Sequence, residues 1–336
     1  MKKYLFITIS AALALTACTN ETTEYVGDTQ AREIAFAPLA QKPTRAAITD
    51  GTFPTTEDIK VAAFDVTNSK NYFEGTTFSY NYKDGATGGT NNYWGGNPAR
   101  YWPLYPAYIN FLAYANVQGT GSFDNTTPAS VATITMTDNS SEQKDLIYAR
   151  GDAEVTQAAS NGAFTFPEKV SLQFQHAQAL ISFKVQANSS AETGITVNSI
   201  KLNGAKYAGT FTITHTAYNA NTGQSVDGAW SGLESVSVQN DITVPGISSG
   251  TAITTTATAI GNGLMVVPNG GITSFTVNYT MNGVTNNYTY TITPAPSLTK
   301  GTNYIYTIKF KLHEIFVDAS VATWGGPTDS NITIQE

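Results

Sequence analysis

Tyr304-Ile305-Tyr306-Thr307-Ile308-Lys309-Phe310-Lys311-Leu312 places Tyr304, Tyr306, Ile308, Phe310 and Leu312 two residues apart, on one face of an extended strand. The same period recurs outward from it. Ile59-Lys60-Val61-Ala62-Ala63-Phe64 is one such run, and Ser171-Leu172-Gln173-Phe174 leads into Ala179-Leu180-Ile181-Ser182-Phe183-Lys184-Val185. Phe211 and Ile213 alternate with threonines. Phe275–Tyr279 and Asn287–Ile292 flank Asn282-Gly283, the dipeptide a tight two-residue hairpin requires. Beyond the first residues no apolar run at helical spacing occurs. Short strands punctuated by Gly, Asn and Pro turns predict an all-β chain of β-sandwiches. Its 336 residues suffice for two tandem domains, each with its own core.

The turn-prone stretch Ala187-Asn188-Ser189-Ser190-Ala191-Glu192-Thr193-Gly194 marks the expected boundary, with an N-terminal domain over 46–188 and a C-terminal domain over 189–336. Residues 84–92 and 116–128 read as exposed loops. Only 13% of the residues are charged, against about 25% in an ordinary soluble protein, and Thr, Asn, Ser, Gly and Tyr take their place. Such flat polar surfaces suit an extracellular protein. A net charge of −7 without a basic run argues against a nucleic-acid partner.

Lys2 and Lys3 precede an apolar run from Tyr4 to Leu15, broken by Thr8 and Ser10 and closed by Leu15-Thr16-Ala17-Cys18. This is the layout of a secretory signal over 1–17 and is too short to span a bilayer. Its ending resembles the bacterial lipobox. That resemblance implies cleavage before Cys18 and a diacylglycerol on its thiol, with acyl chains contributing about 0.8 kcal/mol per buried methylene on a membrane. Cys18 is the only cysteine, so neither a disulfide framework nor a cysteine-type zinc site is available.

Catalytic groupings are not visible. His176, His215 and His313 have no second ligand at metal spacing, and no nucleophile elbow or phosphate loop occurs. No carboxylate pair is singled out by its context for glycoside hydrolysis. Trp94, Tyr101 and Trp102 admit two readings, a sugar-stacking platform or, for Trp102 beside Pro103, a plug in the core. Residues 19–31 are polar and tether-like. Glu33-Ile34-Ala35-Phe36-Ala37-Pro38-Leu39 follows as a short strand with Ile34 and Phe36 on one face. Pro43 then favours an extended segment around Thr44-Arg45-Ala46, where an exposed arginine suits a trypsin-like protease. Near the C-terminus Ile315, Val317, Ala319 and Val321 alternate, and Ile332 and Ile334 do so beyond Gly325-Gly326-Pro327. These segments can serve a neighbouring subunit or complete their own sandwich.

Taken in order, these segments resemble the Bacteroidota fimbrillin family, the type V pilins. The likeness rests on the lipobox at Cys18, Ile34-Ala35-Phe36, Thr44-Arg45-Ala46 and Ile59–Phe64. It continues through Tyr101-Trp102-Pro103, Asn110-Phe111-Leu112-Ala113-Tyr114-Ala115, Asp145-Leu146-Ile147-Tyr148-Ala149 and Leu172–Ala177. Gly263–Pro268, Gly301–Tyr304 and Trp324 complete it. The resemblance implies two Greek-key, transthyretin-like sandwiches and a structural subunit without cofactor or catalysis. It implies export as an outer-membrane lipoprotein, with residues 18–45 as a lipidated propeptide. An arginine-specific protease would cut between Arg45 and Ala46 and release the strand bearing Ile34, Phe36 and Leu39. Other fimbrial subunits would then engage the groove with a donor strand drawn from Ile315, Val317 and Val321 or from Ile332 and Ile334. The expected product is an adhesive surface fimbria, with a tip or anchor role also open. A surface glycan-binding lipoprotein of a nutrient-uptake system is the rival reading, and it would use the Trp94 and Trp102 platform.

Overall fold

The computed structural model describes residues 31–40, 53–83, 86–87, 92–124, 131–136, 143–192, 194–215, 226–232, 241–268, 272–293, 295–311, 314–323 and 332–334. The chain is all-β and of β-sandwich type. Its first strands are β1 (Ala35–Ala40), β2 (Ile59–Asp65), β3 (Lys70–Tyr80), β4 (Tyr82–Lys83), β5 (Ala86–Thr87), β6 (Trp94–Asn97) and β7 (Ala107–Ala115). Then come β8 (Gly119–Asp124), β9 (Val131–Met136), β10 (Ile147–Gln157), β11 (Phe164–Thr165) and β12 (Val170–His176). The second half holds β13 (Ala179–Ala187), β14 (Thr196–Asn203), β15 (Gly209–His215), β16 (Val226–Ser231), β17 (Asp241–Thr243) and β18 (Thr251–Ala252). It ends with β19 (Thr258–Val266), β20 (Ser274–Met281), β21 (Val284–Thr291), β22 (Thr302–Lys311), β23 (Glu314–Thr323) and β24 (Ile332–Ile334).

The first core lies inside a closed circuit of strands. Its pairings run β10-β12-β1-β6-β3-β2-β7, and β7 pairs back onto β10 from Ala107–Val155 to Ala115–Ile147. Inside it lie Ile34, Phe36, Phe78, Trp102, Ile109, Phe111, Leu172 and Phe174, all essentially inaccessible to water. The alternation in β12 places Val170, Leu172 and Phe174 inward and Ser171 and Gln173 outward.

The second core is a sandwich of β19-β13-β22-β23-β24 against β17-β14-β20-β21. In β22, Tyr304, Tyr306, Ile308 and Phe310 all face this core, as their period-two spacing requires. The hairpin expected at Asn282-Gly283 joins β20 to β21, and both turn residues have positive φ (52° and 77°), as a primed turn demands.

The two cores part earlier in the chain than the turn-prone stretch at 187–194 suggests. β13 pairs with β19 and β22, and its Ile181, Phe183 and Val185 pack in the second core. The change of core therefore falls at Ala177-Gln178, where β12 ends and β13 begins, and the loop 188–194 only connects β13 to β14.

A third layer joins the halves. The sheet β16-β15-β9-β8 takes two strands from each half. Its Ile134, Phe211, Ile213 and Trp230 cover the outer faces of β7 and β10 at Leu112, Tyr114 and Tyr148. This covering explains why β7 reads as a nearly unbroken apolar run rather than an alternating one. It also corrects part of the loop assignment at 116–128, since Gly119–Asp124 is β8 and Phe123 stacks on Tyr114 at 5.1 Å. The glycine at 121 makes room for that tyrosine: a Cβ there would lie 2.4 Å from its hydroxyl. Trp230 ties the layer to the junction of the cores by donating its indole N–H to the Ala177 carbonyl at 2.6 Å.

Candidate assembly site at the closing strand

β1 is the first strand of the closed circuit in chain order, and residues 41–52, which follow it, lie outside the described residues. It pairs in parallel with β12 from Phe36–Val170 to Ala40–Phe174, and antiparallel with β6 through Ala35–Gly95 and Phe36–Trp94. The pairing extends toward the N-terminus. The Ile34 amide donates to the Arg100 carbonyl at 2.7 Å, the Trp102 amide donates to the Arg32 carbonyl at 2.8 Å, and Glu33 bridges Tyr101. The β6 side thus holds residues 32–36 and β12 holds residues 36–40, and without them neither β12 nor β6 has a neighbour on that edge among the described strands.

The inward face of this segment is aromatic in its surroundings. Phe36 is fully buried and meets Phe78 and Phe111 edge-on, with centroids 4.7 and 5.1 Å away. Ile34 is fully buried as well, and the Leu39 backbone pairs with Gln173. β6 approaches so closely that a Cβ on Gly95 would sit 1.8 Å from the Tyr82 carbonyl oxygen. Phe53 meets Trp94 edge-on at 5.5 Å and lies tilted against Phe174 at 5.1 Å. It therefore fills the space between the two strands that flank β1. Sequence reasoning passed over Phe53, because a lone aromatic before Pro54 shows no periodicity.

The tryptophans do not form a sugar platform. Trp94 and Trp102 are 5% and 2% exposed, Trp94 donates its indole N–H to the Glu57 carbonyl at 3.0 Å, and Trp102 packs edge-on to Phe111. Tyr101 alone of the three is exposed. Among the described residues no cluster of His, Cys, Asp or Glu could hold a metal ion. His176 is buried and pairs through Nδ1 with the Asp145 carboxylate at 2.9 Å. Polar chemistry is sparse here. Arg150 and Asp152 pair at 2.9 Å on β10, where burial raises the Asp152 pKa against the lowering pull of the guanidinium.

Both candidate tail segments lie in the second sandwich. β23 pairs with β22 along ten residues, and Ile315, Val317, Ala319 and Val321 are partly buried on its core. β24 pairs with β23 at three positions only, through Ile332, Thr333 and Ile334. Cys18, Arg45 and Ala46 lie outside the described residues, as do His313 and Trp324.

The fimbrillin-like family model matches residues 44–324. The chain belongs to the fimbrillin-like family. The match spans β2 to β23 of this fimbrillin-like chain and begins just after β1. Among solved structures, one from Bacteroides uniformis assigned to cell adhesion is 16% identical with a TM-score of 0.50, covering 87% of this chain and 98% of the other. One from Bacteroides ovatus with the same assignment is 14% identical at TM-score 0.50, covering 88% and 98%. The fimbrial anchor protein Mfa2 of Porphyromonas gingivalis is 11% identical at TM-score 0.37, covering 88% and 98%. The first two likenesses concern the fold of the fimbrillin-like chain. No curated protein sequence matches it.

Proposed function

We propose that this chain is a structural pilin subunit of an adhesive cell-surface fimbria, exported as a lipoprotein acylated at Cys18 and polymerised by donor-strand exchange. It binds by assembly and catalyses nothing. The observation that carries the reading is the position of β1, which is the closing member of the first circuit and buries Ile34 and Phe36 completely. Each such side chain contributes about 1.5–3 kcal/mol when buried. An arginine-specific protease cutting between Arg45 and Ala46 frees the whole of β1, which ends five residues earlier at Ala40. A cut at Arg32 leaves β1 attached to the rest of the chain. Loss of β1 opens an apolar slot between β12 and β6, with unpaired backbone on both sides, and such a slot invites strand addition.

β24 is the better supported donor of the two tail segments. Leaving its own subunit costs it three paired residues, against ten for β23. Its Ile332-x-Ile334 spacing repeats the Ile34-x-Phe36 spacing of β1. Because the slot and the donor lie on different surfaces, the contact repeats without closing and gives a filament on the outer-membrane surface.

Residues 19–336 treated with a low dose of trypsin test the reading. One preferred cut after Arg45 is expected, followed by a ladder of multimers, and Arg45→Gln suppresses both. Persistent monomers after complete removal of residues 19–45 overturn the stalk-subunit reading.

A further inference from the structure

Most free edges among the described sheets are blunted. β11, β17 and β24 are two or three residues long, β8 carries Asp124, β16 carries Asp227, and β19 is bulged against β13. Short, charged or bulged edges keep sheets from pairing with other chains. β21 has none of these devices. It runs eight residues, stays in unbroken register with β20, and contains neither proline nor charge. No Asp, Glu, Lys, Arg or His occurs anywhere between Asp241 and Lys300, in a chain whose net charge is −7.

The hairpin geometry settles which groups face outward. With a two-residue turn, Met281 and Val284 form the first hydrogen-bonded pair, so alternate residues from Val284 onward bond to β20. The Ile292 amide donating to the Thr273 carbonyl at 2.9 Å keeps the same parity. The backbone groups of Thr285, Asn287, Thr289 and Thr291 therefore point away from the sheet, and all four residues are exposed. Side-chain contacts to β20 hold three of them in order. Thr276–Thr289 lie 3.0 Å apart, Asn278 donates to Asn287 at 2.8 Å, and Thr280–Thr285 lie 3.2 Å apart.

We propose that the β21 edge pairs antiparallel with the β21 edge of a second copy of this chain. The outward residues form a self-complementary set about a two-fold axis at Tyr288. Thr285 then faces the second copy's Thr291, Asn287 faces its Thr289, and the two Tyr288 side chains meet on the inner face as a non-hydrogen-bonded aromatic pair. A copy of the same edge is the fitting occupant because neither surface carries charge. Two chains of net charge −7 can meet there without like charges opposed, whereas a partner recognised by charge finds nothing to read. The contact lies in the second sandwich, apart from the β1 slot, so it joins chains side by side whether or not they polymerise. On polymers, many weak contacts in parallel convert it into lateral bundling.

Sedimentation velocity of the full chain in mild detergent tests this, with Arg45→Gln present so that β1 stays in place and strand exchange cannot contribute. A concentration-dependent monomer–dimer equilibrium is expected. Asn287→Lys with Thr289→Lys sets lysines opposite each other twice and weakens the dimer by about ten-fold or more. Asn287→Lys with Thr289→Glu sets opposite charges face to face in this register and restores dimerisation. Thr289→Pro removes an outward amide without touching the bonds to β20 and also weakens the dimer. A parent chain that stays monomeric at millimolar concentration overturns the proposal. So does a Lys/Lys or Pro variant that dimerises undiminished, or a Lys/Glu variant that stays monomeric with a native circular dichroism spectrum.

Discussion

The ring of Phe36 stands edge-on to that of Phe78, with centroids 4.7 Å apart and planes at 87°. One ring belongs to the closing strand, the other to β3. Their contact, with that of Phe111 on the far side, fills the middle of the first core. Truncating Phe36 to alanine removes a fully buried ring from a closed circuit that cannot collapse freely around the gap. The expected loss is about 3–5 kcal/mol, read as a lower denaturant midpoint in the uncut chain. A midpoint within experimental error of the parent would show that β1 adds little to the first core.

Gly95 is held by a steric limit rather than by its dihedral freedom. Its absent Cβ would fall 1.8 Å from the Tyr82 backbone oxygen, and backbone cannot swing aside as a long side chain can. Gly95→Ala therefore displaces β6 from β4 and loosens β1, which pairs with the same residue. A destabilisation of about 1–3 kcal/mol is expected, with faster hydrogen exchange at the amides of β6. Gly250→Ala makes a useful contrast, because a Cβ at Gly250 meets nothing within 4 Å and any cost comes from its φ of 80° alone.

Trp230 ties the bridging sheet to the junction of the cores. Replacing it by phenylalanine keeps most of the apolar contact with Phe211 but leaves the buried Ala177 carbonyl without its donor. A cost of about 1–3 kcal/mol is expected. Because Ala177 lies between β12 and β13, the near-ultraviolet circular dichroism of both halves should weaken together on denaturation, at a lower midpoint than in the parent.

Lys300 donates to Asp227 Oδ1 and to the Gly228 carbonyl, each at 2.7 Å, and lies 5.7 Å over the Tyr148 ring. The Lys300 hydrogen bond and the Gly228 amide hold the Asp227 carboxyl below its ordinary value. A lowered carboxylate pKa contributes stability above the ordinary value and loses it as pH falls through the folded-state value. Asp227 is largely exposed, so solvent screens the pair and Asp227→Asn should cost no more than about 1 kcal/mol at pH 7. Thermal melts of parent and variant should converge in acid below the carboxylate range. A difference that persists there would assign the effect to packing instead of charge.

At the alkaline end, burial pushes the Tyr72 phenol up to about 12 from an ordinary 10.0, with Tyr105 and Asp65 adding to the shift. Its hydroxyl donates to the Tyr101 carbonyl at 2.6 Å. Tyr114, Tyr148 and Tyr306 are likewise raised by burial. Between the ordinary and the raised values the unfolded chain loses protons that the native chain keeps, so stability falls as pH rises through that window. Absorbance at the phenolate band should show these tyrosines ionising above the ordinary tyrosine range, together with the loss of native structure. A single reversible titration of all tyrosines near 10 would contradict their burial.

The sequence by itself determined the class of fold and most of its strands, because side-chain alternation is a local property of extended backbone. Tyr304–Phe310, the Asn282-Gly283 hairpin and the Ile34-x-Phe36 strand were legible for that reason, as was the order of motifs that marks the family. What only the tertiary structure decided concerns partners distant in the chain. β13 joined the second core instead of the first, since its neighbours are β22 and β19, more than 70 residues later. Phe53, Trp94 and Trp102 became core residues around the closing strand, because burial depends on what stands opposite and not on the residue type. β8 formed only because β9, β15 and β16 supplied a sheet for its glycine-rich run to join. Whether a strand lies at a free edge, as β21 does among the described strands, depends likewise on which strands fail to come near it, and no local pattern of residues encodes that.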